Sequence, residues 1–359
     1  MHQNKNLVYL NTAACGLIPD TVLQAGVDLY KGFENHSSAT SEHWRDFEKN
    51  AVRKSIAGFV RVPERNIALV PNFSAAINMV VQSLKGDEKV LLYRRDYPSL
   101  YIPFVINGFD ITWIEDKEGF YLDMNQIASV IKEKKIDIVA ISHIQYQSGF
   151  KTDLETLGEI CRQNNALLIV DGTQSLGGMN IDLSRLQPDV FIASSYKWMN
   201  GGFGTGIMYM NDVFLEKYPP KISGANSDTF TLLDDGFGRQ PGITDYEPGN
   251  INQFGFTILH KSIEEKNKAG IDNIERHNLQ LTQQLLDGLA ALPVQVIGDY
   301  TTANRNSIVS IREEAGLHAL LRENNIVTTL RNGLIRISIH YHNTEEDINA
   351  ILETIRLNA

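Results

Sequence analysis

One stretch of the sequence, residues 167–206, constrains the fold more than any other. It reads LLIVDGTQSLGGMNIDLSRLQPDVFIASSYKWMNGGFGTG. Within it, one apolar run ends at Asp171, and a second, one crossover unit later, ends just before Lys197. Apolar strands that stop at polar residues are typical of the ligand-binding edge of an open parallel sheet. We therefore expect Asp171 and Lys197 to lie over one crevice, at the ends of two strands.

A carboxylate and an amine over one crevice suit a pyridine-ring cofactor. Lys197 would join the cofactor as a Schiff base, and Asp171 would keep the ring nitrogen protonated so that the ring acts as an electron sink. Each residue also has a plainer interpretation. Lys197 could lie on the surface with its stem against Trp198, and Asp171 could be a turn residue at a strand end.

Two strings, VDGTQSLG and SSYKWMNGGFGTGIMY, resemble the core of the class V aminotransferases. The likeness extends from YLNTAACGLIP near the start to LIRISIHYHNTEEDINAIL near the end. This group of fold-type I pyridoxal-phosphate (PLP) enzymes also contains cysteine desulfurases, kynureninases and isopenicillin-N-epimerase-like proteins. The resemblance implies an aspartate-aminotransferase-like α/β fold, PLP as the cofactor, and Lys197 and Asp171 as catalytic residues.

The order of strand-like and helix-like patterns predicts two domains. From about residue 67, apolar strands alternate with helices, which indicates a mainly parallel sheet with helices on both faces. The alternation breaks at residues 219–250, which are rich in Gly, Pro, Asp and Asn and are predicted to form an irregular loop. We predict a large PLP-binding α/β domain over residues 15–250 and a small C-terminal α+β domain over residues 251–359. The N-terminal segment 1–14 is predicted to join them.

Local patterns predict individual elements outside this alternation. Asp20 can cap a first helix, and a second helix is predicted to start near Ser41. Near the C-terminus, VQVIG (residues 294–298) is among the predicted strands, and Thr344 is predicted to cap the closing helix.

Composition excludes several classes of partner. The 359 residues include 33 Lys and Arg against 43 Asp and Glu, a net charge of −10, whereas nucleic-acid binding needs a basic face. Two cysteines, Cys15 and Cys161, make no disulfide framework and fit a reducing compartment. The start lacks a signal-peptide core, and no run approaches the roughly 18 apolar residues of a membrane span. We expect a soluble, cytoplasmic protein, and the histidines show no metal-ligand spacing.

The resemblance also implies the residues that hold the cofactor's phosphate. Phe73 and Ser74 begin a predicted helix, and a helix N-terminus offers N–H donors to an anion. The family's Gly-Thr-Thr turn reads Asn72-Phe73-Ser74 here, so backbone N–H groups must replace one hydroxyl. Ser194 matches a second hydroxyl donor, and Tyr196 matches a tyrosine that reaches the phosphate in kynureninases. The plainer interpretation of Ser74 is an ordinary N-cap.

Other cofactor contacts follow from the same resemblance. Tyr97 matches the aromatic residue stacked on the ring, and Gln174 matches a residue that hydrogen-bonds the phenolic oxygen. Gln145 is predicted to face the ring, although its neighbour Tyr146 fits this position as well. Asn250 matches a residue that reaches the partner's phosphate across a dimer interface, which predicts a homodimer. Tyr97 could instead be a turn residue, and Asn250 part of a Gly-Asn turn.

Two arginines flank a predicted Asn332-Gly333 hairpin turn. A guanidinium is the natural partner of a substrate α-carboxylate because its planar fork matches the two oxygens. Arg336 matches the family's carboxylate-binding position better, and Arg331 ranks second. Asn11, in the N-terminal loop, is predicted to help close the site over the substrate.

The reaction is less constrained than the cofactor. A cysteine desulfurase needs a thiol near the substrate-binding arginine, yet that region is compressed to TTLRNGLIRIS, and no cysteine follows Cys161. We therefore predict an aminotransferase that converts a small amino acid and its keto acid. The alternatives are a PLP-dependent Cβ-lyase, like kynureninase or a cyst(e)ine or selenocysteine lyase, and an epimerase. A further alternative is a PLP-binding protein without turnover.

Overall fold

A computed structural model describes residues 7–225, 227, 230–233, 236–239, 242–314 and 316–358. The strands are β1 (Val8–Tyr9), β2 (Ile67–Val70), β3 (Lys89–Tyr93), β4 (Asp110–Ile114), β5 (Ile138–Ser142), β6 (Leu167–Asp171), β7 (Val190–Ser194), β8 (Gly206–Met210), β9 (Phe230–Leu233), β10 (Gly236–Arg239), β11 (Ile308–Arg312), β12 (Ile326–Val327), β13 (Thr329–Arg331) and β14 (Leu334–Ser338). The helices are α1 (Asp20–His43), α2 (Lys49–Val60), α3 (Phe73–Ser83), α4 (Pro98–Ile106), α5 (Met124–Lys134), α6 (Leu154–Gln163), α7 (Leu183–Leu186), α8 (Asp212–Lys217), α9 (Gln253–Ala269), α10 (Ile271–Ala290), α11 (Leu317–Glu323) and α12 (Glu345–Asn358).

A seven-stranded sheet forms the centre of the molecule, in the order β2-β8-β7-β6-β5-β3-β4. Strands β3 to β7 pair in parallel, whereas β8 runs antiparallel to both of its neighbours. Runs such as IALV and VFIAS are buried along their whole length because helices cover both faces of the sheet. The predicted α/β class with a mainly parallel sheet is confirmed.

Two apolar layers enclose this sheet. On one face, side chains of α2, α5 and α6 pack with Leu168, Val170 and Phe191. On the other, side chains of α3 and α4 pack with Ile169 and Ile192. Alternating strand residues therefore belong to opposite layers, as the two-residue period of a strand requires. This arrangement leaves the ends of the strands as the only part of the sheet free to build a polar site within the described chain.

A smaller antiparallel sheet, in the order β11-β14-β13, lies in the C-terminal part of the chain. Its apolar residues form a separate core with side chains of α10, α11 and α12. The closing helix α12 begins where predicted, and the Asp347 N–H donates to the hydroxyl of Thr344. The α+β character of this part agrees with the sequence, and the domain boundary at residue 250 stays a prediction.

The N-terminal segment contacts both the part of the chain that forms the small sheet and the part that forms the large sheet. Strand β1 pairs in parallel with β12, and Asn11 bridges to Ser338 at the end of β14. The Ala13 N–H donates to the hydroxyl of Ser338 at 2.9 Å. The first six residues of the predicted joining segment lie outside the described residues.

Two predictions of local structure in the second half of the chain differ from the structure. Residues 294–298 form only an isolated bridge, from Val296 to Ile311, because a single pairing point at the sheet edge does not make a strand. Residues 219–250 were expected to be irregular, yet they contain the hairpin β9–β10 and a 3₁₀ turn, Ile243–Tyr246. Seven positions of that stretch, 226, 228, 229, 234, 235, 240 and 241, lie outside the described residues.

The first helix also differs from its prediction. Asp20 is its first residue rather than its cap, which is Pro19, and a carboxylate in the first turn still interacts favourably with the helix dipole. No new helix starts near Ser41. The backbone leaves helical geometry at His36, and a π-helical turn, Trp44–Glu48, then leads into α2. Within the described residues, no helix combines the length and apolar content needed to cross a bilayer.

Candidate active site

A cavity of about 310 Å³ opens at the carboxyl ends of β5, β6 and β7, beside the N-terminus of α3. Eight of the predicted site residues line it, namely Phe73, Ser74, Tyr97, Asp171, Gln174, Ser194, Tyr196 and Lys197. The other five do not, namely Asn11, Gln145, Asn250, Arg331 and Arg336. Asp171 and Lys197 thus share one crevice, because parallel neighbours β6 and β7 end at the same edge of the sheet.

Lys197 and Asp171 are both buried, at 6% and 5% exposure. No ion pair joins them in the described chain, and the Lys197 Nζ lies 5.5 Å and 5.6 Å from the ring centroids of Tyr97 and Tyr196. Burial lowers the pKa of Lys197, and the same loss of water raises the pKa of Asp171. The space between the two groups is therefore a place where a third polar group would satisfy both.

The turn after β6 fixes the direction of the Asp171 side chain. Its Oδ1 accepts a hydrogen bond of 2.8 Å from the Thr173 N–H. A side chain at Gly172 would overlap the ring of Phe191, so the turn can pass this point only with glycine. The sequence Val-Asp-Gly-Thr therefore holds the carboxylate at the floor of the cavity.

One end of the cavity is built to receive an anion. The Asn72 side chain caps α3 by accepting from the Ala75 N–H, and the Phe73 N–H donates to the Ser194 hydroxyl at 2.8 Å. The hydroxyl of Ser74 bonds that of Ser99. The positive end of an eleven-residue helix and these hydroxyls match the requirements of a phosphate group.

Aromatic rings enclose the cavity above that end. Tyr196 stacks on Phe203, with ring centroids 4.7 Å apart and planes 14° apart. Burial raises the pKa of Tyr196 to about 12, so its hydroxyl stays protonated and can donate to an anion. Phe203 belongs to the Gly-rich turn that the sequence analysis did not assign to the site. Its only signal in the sequence was its position between Lys197 and β8.

The residue before Tyr97 is Asp96, a buried carboxylate that the sequence analysis missed. Asp96 accepts hydrogen bonds from the N–H of Tyr97, from the N–H and hydroxyl of Ser142, and from the amide of Gln145. Burial raises the pKa of Asp96. These four donors connect the aromatic residue to the end of β5, so Asp96 positions the ring of Tyr97.

The end of β5 presents Tyr146, rather than Gln145, to the cavity. Tyr146 lines the cavity, and its ring meets that of Tyr97 edge-on, with centroids 5.5 Å apart. The Gln145 side chain instead turns toward Asp96. We correct the predicted ring contact accordingly: the sequence left the two neighbours open, and the turn after Ser142 decides between them.

Arg336 lies one layer behind the cavity wall. It is 1% exposed, and its Nη1 donates to the backbone oxygen of Tyr146 at 2.8 Å. Its Nε and Nη2 are buried and have no partner in the described chain. These two atoms form one edge of the guanidinium, and that edge matches the two oxygens of a carboxylate. Arg331, at the other end of the hairpin, is exposed.

The remaining predicted residues lie at different distances from the cavity. Asn11 accepts a hydrogen bond from Thr329 and bridges to the end of β14, so it contacts the strand of Arg336 rather than the cavity. Asn250 is exposed and lines a separate depression beside α1 and α2. Its predicted role across a dimer interface stays a prediction.

A family model decides the class of the protein. The model described as Aminotransferase class-V matches residues 8–351. The chain belongs to the class V aminotransferase family. Enzymes of this class use PLP, so the chain is a PLP-dependent enzyme and the predicted cofactor is confirmed.

Among the relatives, a probable cysteine desulfurase of Methanothermobacter thermautotrophicus is 27% identical and covers 97% of this chain and 94% of its own. A probable cysteine desulfurase of Pyrococcus abyssi is 25% identical, with coverage of 97% and 93%. The solved cysteine desulfurase of Thermococcus onnurineus NA1 has a TM-score of 0.89 at 22% identity, covering 98% and 94%. The cystine C–S lyase C-DES with its product cysteine persulfide has a TM-score of 0.87 at 23% identity, covering 98% and 97%.

These comparisons support part of the predicted function. They show a class V PLP enzyme with the predicted fold. The relatives named above are desulfurases or a C–S lyase, so they do not support the aminotransferase reaction that the sequence analysis ranked first.

The cavity of this class V enzyme fits PLP. A buried amine and a buried carboxylate face the same space without contacting each other, as a ring held at both ends requires. The anion end of the cavity adjoins α3, and Tyr97 offers an aromatic face. Two further lining residues, Ser142 and Thr173, carry hydroxyls that no motif signalled.

The loop that carries Lys197 is hydrogen-bonded to a cluster of buried polar side chains. The Nε2 of His340 lies 2.9 Å from the Trp198 carbonyl oxygen, and the side-chain amide of Asn278 donates to the Nδ1 of His340. Lys266, on α9, donates to Asn200 at 2.9 Å and lies over the ring of Tyr341. In the described chain no carboxylate pairs with Lys266, and burial lowers its pKa from 10.5 to about 7.

The stability of the protein should therefore depend on Lys266 between about pH 7 and pH 10.5. In this window the unfolded chain binds more protons at this lysine than the folded chain does, so the free energy of unfolding rises with pH. Lys266→Met removes this contribution. Its stability relative to the unchanged protein should be highest near or below pH 7 and should fall as the pH rises. Urea titrations of both proteins at about pH 6.5 and about pH 9.5 measure this difference.

If the two proteins differ in free energy of unfolding by the same amount at both pH values, the result would contradict the claim that Lys266 is buried and easily deprotonated. Lys268→Met, at an exposed position near the end of the same helix, is the matched control. It should change the free energy of unfolding by the same small amount at both pH values, because an exposed side chain is solvated in the folded and in the unfolded chain.

Proposed function

We propose that this protein is a PLP-dependent lyase that breaks the Cβ–S bond of a cysteine-derived amino acid. The observation that carries the proposal is the buried, unpartnered edge of Arg336 beside a buried lysine–aspartate pair. That combination suits an α-amino acid substrate. The relatives named for desulfuration and C–S cleavage support sulfur as the leaving atom.

Residues of this chain would hold the cofactor at three points. Lys197 would bind it covalently, Asp171 would face its ring nitrogen, and the hydroxyl of Ser194 would contact its phosphate beside α3. When bound, PLP withdraws electrons from Cα of the substrate, which acidifies the Cα–H bond and weakens the bond from Cβ to a leaving group.

Two further side chains would act on the substrate itself. The Nε and Nη2 of Arg336 would bind the α-carboxylate, which fixes the position of Cα over the cavity. Burial lowers the pKa of Lys197 to about 7, so a large fraction of its released amine would be neutral near pH 7 and able to accept the Cα proton. The rings of Tyr97 and Phe203 would exclude water from this proton transfer.

The positions of the two cysteines distinguish this proposal from a persulfide-forming desulfurase. Cys161, on α6, is buried in the core, and burial raises its pKa to about 12. Cys15 is partly buried in the N-terminal loop, where its thiol contacts the Gly16 carbonyl. Neither cysteine belongs to the hairpin between Arg331 and Arg336. We therefore infer that sulfur leaves as a free product and is not transferred to an enzyme thiol.

The products formed from L-cysteine and L-cystine test the proposal. Elimination predicts pyruvate, ammonium and a sulfur-containing product in equal amounts, with no requirement for an added keto acid. Transfer of sulfur to an enzyme thiol would instead leave alanine, and amino transfer would require a keto acid and leave the Cβ–S bond intact. An epimerase would return the other enantiomer, and a protein without turnover would form none of these products.

Cys15→Ser is the matched control for sulfur transfer. The variant should form pyruvate from the same substrates at a rate close to that of the unchanged enzyme, because the thiol has no part in elimination. Loss of activity in this variant together with alanine formation by the unchanged enzyme would overturn the proposal in favour of a desulfurase.

A further inference from the structure

A second cavity, of about 420 Å³, lies next to the one that contains Lys197. Tyr146 lines both, so the two cavities are separated by one side chain. The second cavity is walled by Tyr93, Gln145 and Gln147 from the large sheet side and by Leu334 from the small sheet. Of the residues predicted to contact the cofactor, only Gln145 lines it, together with its neighbour Tyr146.

The small-sheet wall of the second cavity is continuous with the carboxylate site. Leu334 and Arg336 are two residues apart on β14, so their side chains leave the strand on the same face. A substrate whose α-carboxylate is held by Arg336 can therefore extend its side chain toward Leu334. The short turn between β13 and β14 leaves this volume open.

The wall carries polar groups without partners. The amide oxygens of Gln145 and Gln147 are buried, and neither has a hydrogen-bond partner in the described chain. Gln145 is 2% exposed. Buried amide oxygens without a donor are costly, so they indicate a ligand that brings N–H groups. At the rim, the exposed Arg95 guanidinium forms an ion pair with Asp116 through Nε at 3.4 Å. A guanidinium has five N–H donors, so Arg95 can bind a ligand carboxylate as well.

We propose that the second cavity binds the departing half of the substrate, a sulfur leaving group that itself carries an ammonium and a carboxylate. The substrate class is a pair of amino acids joined through sulfur, such as a disulfide of two cysteines. The ammonium of the departing half faces the oxygens of Gln145 and Gln147, and its carboxylate faces Arg95. This inference rests on the proposed lyase function.

The chemical step balances without an oxidant or a reductant. Lys197 accepts the Cα proton, and the Cβ–S bond breaks with its electron pair remaining on sulfur. The leaving group departs as a thiolate, or as a persulfide anion when the substrate is a disulfide, so the S–S bond stays intact. The other half is released as 2-aminoacrylate, which water hydrolyses to pyruvate and ammonium.

Binding of analogues that contain no sulfur tests the second cavity separately from turnover. 2,7-Diaminosuberic acid has the chain length of cystine and lacks a Cβ–S bond, and norvaline is its short counterpart. Calorimetric titration of the holoenzyme should show tighter binding of diaminosuberic acid than of norvaline. In Leu334→Trp, which fills the cavity, the ratio of the two affinities should fall about tenfold or more.

Leu330→Trp is the matched control, because Leu330 is exposed on the neighbouring strand and does not line the cavity. It should keep the affinity ratio of the unchanged protein. Equal losses of affinity for both ligands in Leu334→Trp, or no preference for diaminosuberic acid in the unchanged protein, would overturn the inference.

A second variant tests the ammonium contact without filling the cavity. Gln147→Leu keeps the side-chain size and removes the unpartnered oxygen. The unchanged protein should prefer diaminosuberic acid to 2-aminosuberic acid, which lacks the distal ammonium, and Gln147→Leu should lose about threefold to tenfold of that preference. A preference that survives this change would contradict the assigned ammonium position.

Measurements of turnover distinguish a failure of this inference from a failure of the proposed function. Pyruvate formation from S-methylcysteine together with cystine supports the lyase function, and binding alone supports the cavity. An enzyme that releases no pyruvate but keeps the Leu334-dependent affinity ratio refutes the lyase and retains the subsite. Pyruvate formation with an unchanged ratio in Leu334→Trp retains the lyase and refutes the subsite.

Discussion

Lys197→Ala is expected to lower kcat by about 10⁴-fold or more, because the substitution would remove both the proposed covalent anchor of PLP and the proposed base for the Cα proton. General-base catalysis alone contributes roughly 10²- to 10⁴-fold. The fold should survive, since the side chain faces a cavity and makes no hydrogen bond in the described chain. Reduction of the unchanged holoenzyme with borohydride, followed by peptide mass mapping, should find the cofactor on the peptide that contains Lys197.

Lys151→Ala is the control for this experiment, because Lys151 lies after β5 and lines a different cavity. The control should keep both the bound cofactor and turnover. Reduced cofactor on any other lysine, or near-normal turnover by Lys197→Ala, would contradict the assignment.

Arg336→Lys is expected to lower kcat/KM by roughly 30- to 1000-fold, the effect of losing a charge-assisted, bidentate pair worth about 2–4 kcal/mol. Burial lowers the pKa of Arg336 to about 10, so the guanidinium is still charged near neutral pH. An ammonium cannot present two parallel N–H groups from two nitrogens, so the lysine variant should recover little. Steady-state kinetics with one sulfur amino acid measure the loss.

Arg331→Ala is the matched comparison at the other end of the hairpin. Arg331 is exposed, and an exposed charge contributes little to binding. Its substitution should therefore reduce kcat/KM much less than Arg336→Lys does. The opposite order would move the carboxylate site to Arg331, and two nearly unchanged variants would place that site elsewhere.

Periodic patterns in the sequence predicted most of the fold. Strands β6 and β7 correspond to the two apolar runs predicted before Asp171 and Lys197, and each strand extends one residue beyond its apolar run. Such runs are informative because burial on both faces demands continuous apolar residues. The hairpin β9–β10 was not predicted, since its pairing depends on backbone hydrogen bonds and its residues carry turn-like composition.

The sequence does not predict the directions in which the side chains of the site point. Asp171 and Lys197 were predictable because each follows an apolar strand within a family motif. Asp96 has no motif, and its role depends on four donors that only the folded chain brings together. The choice between Gln145 and Tyr146 depends on the turn after β5, where the two-residue period of a strand no longer applies.

The N-terminal segment gives the site a fixed order of assembly during synthesis. Strand β1 pairs with β12, and the Gly16 N–H donates to the Tyr196 carbonyl, where any larger residue would overlap the carbonyl oxygen of Lys197. Strand β1 therefore lacks its pairing strand until β12 has been made. A nascent chain can complete its central sheet early, yet the cover over its lysine loop closes only when β12 and β14 have emerged.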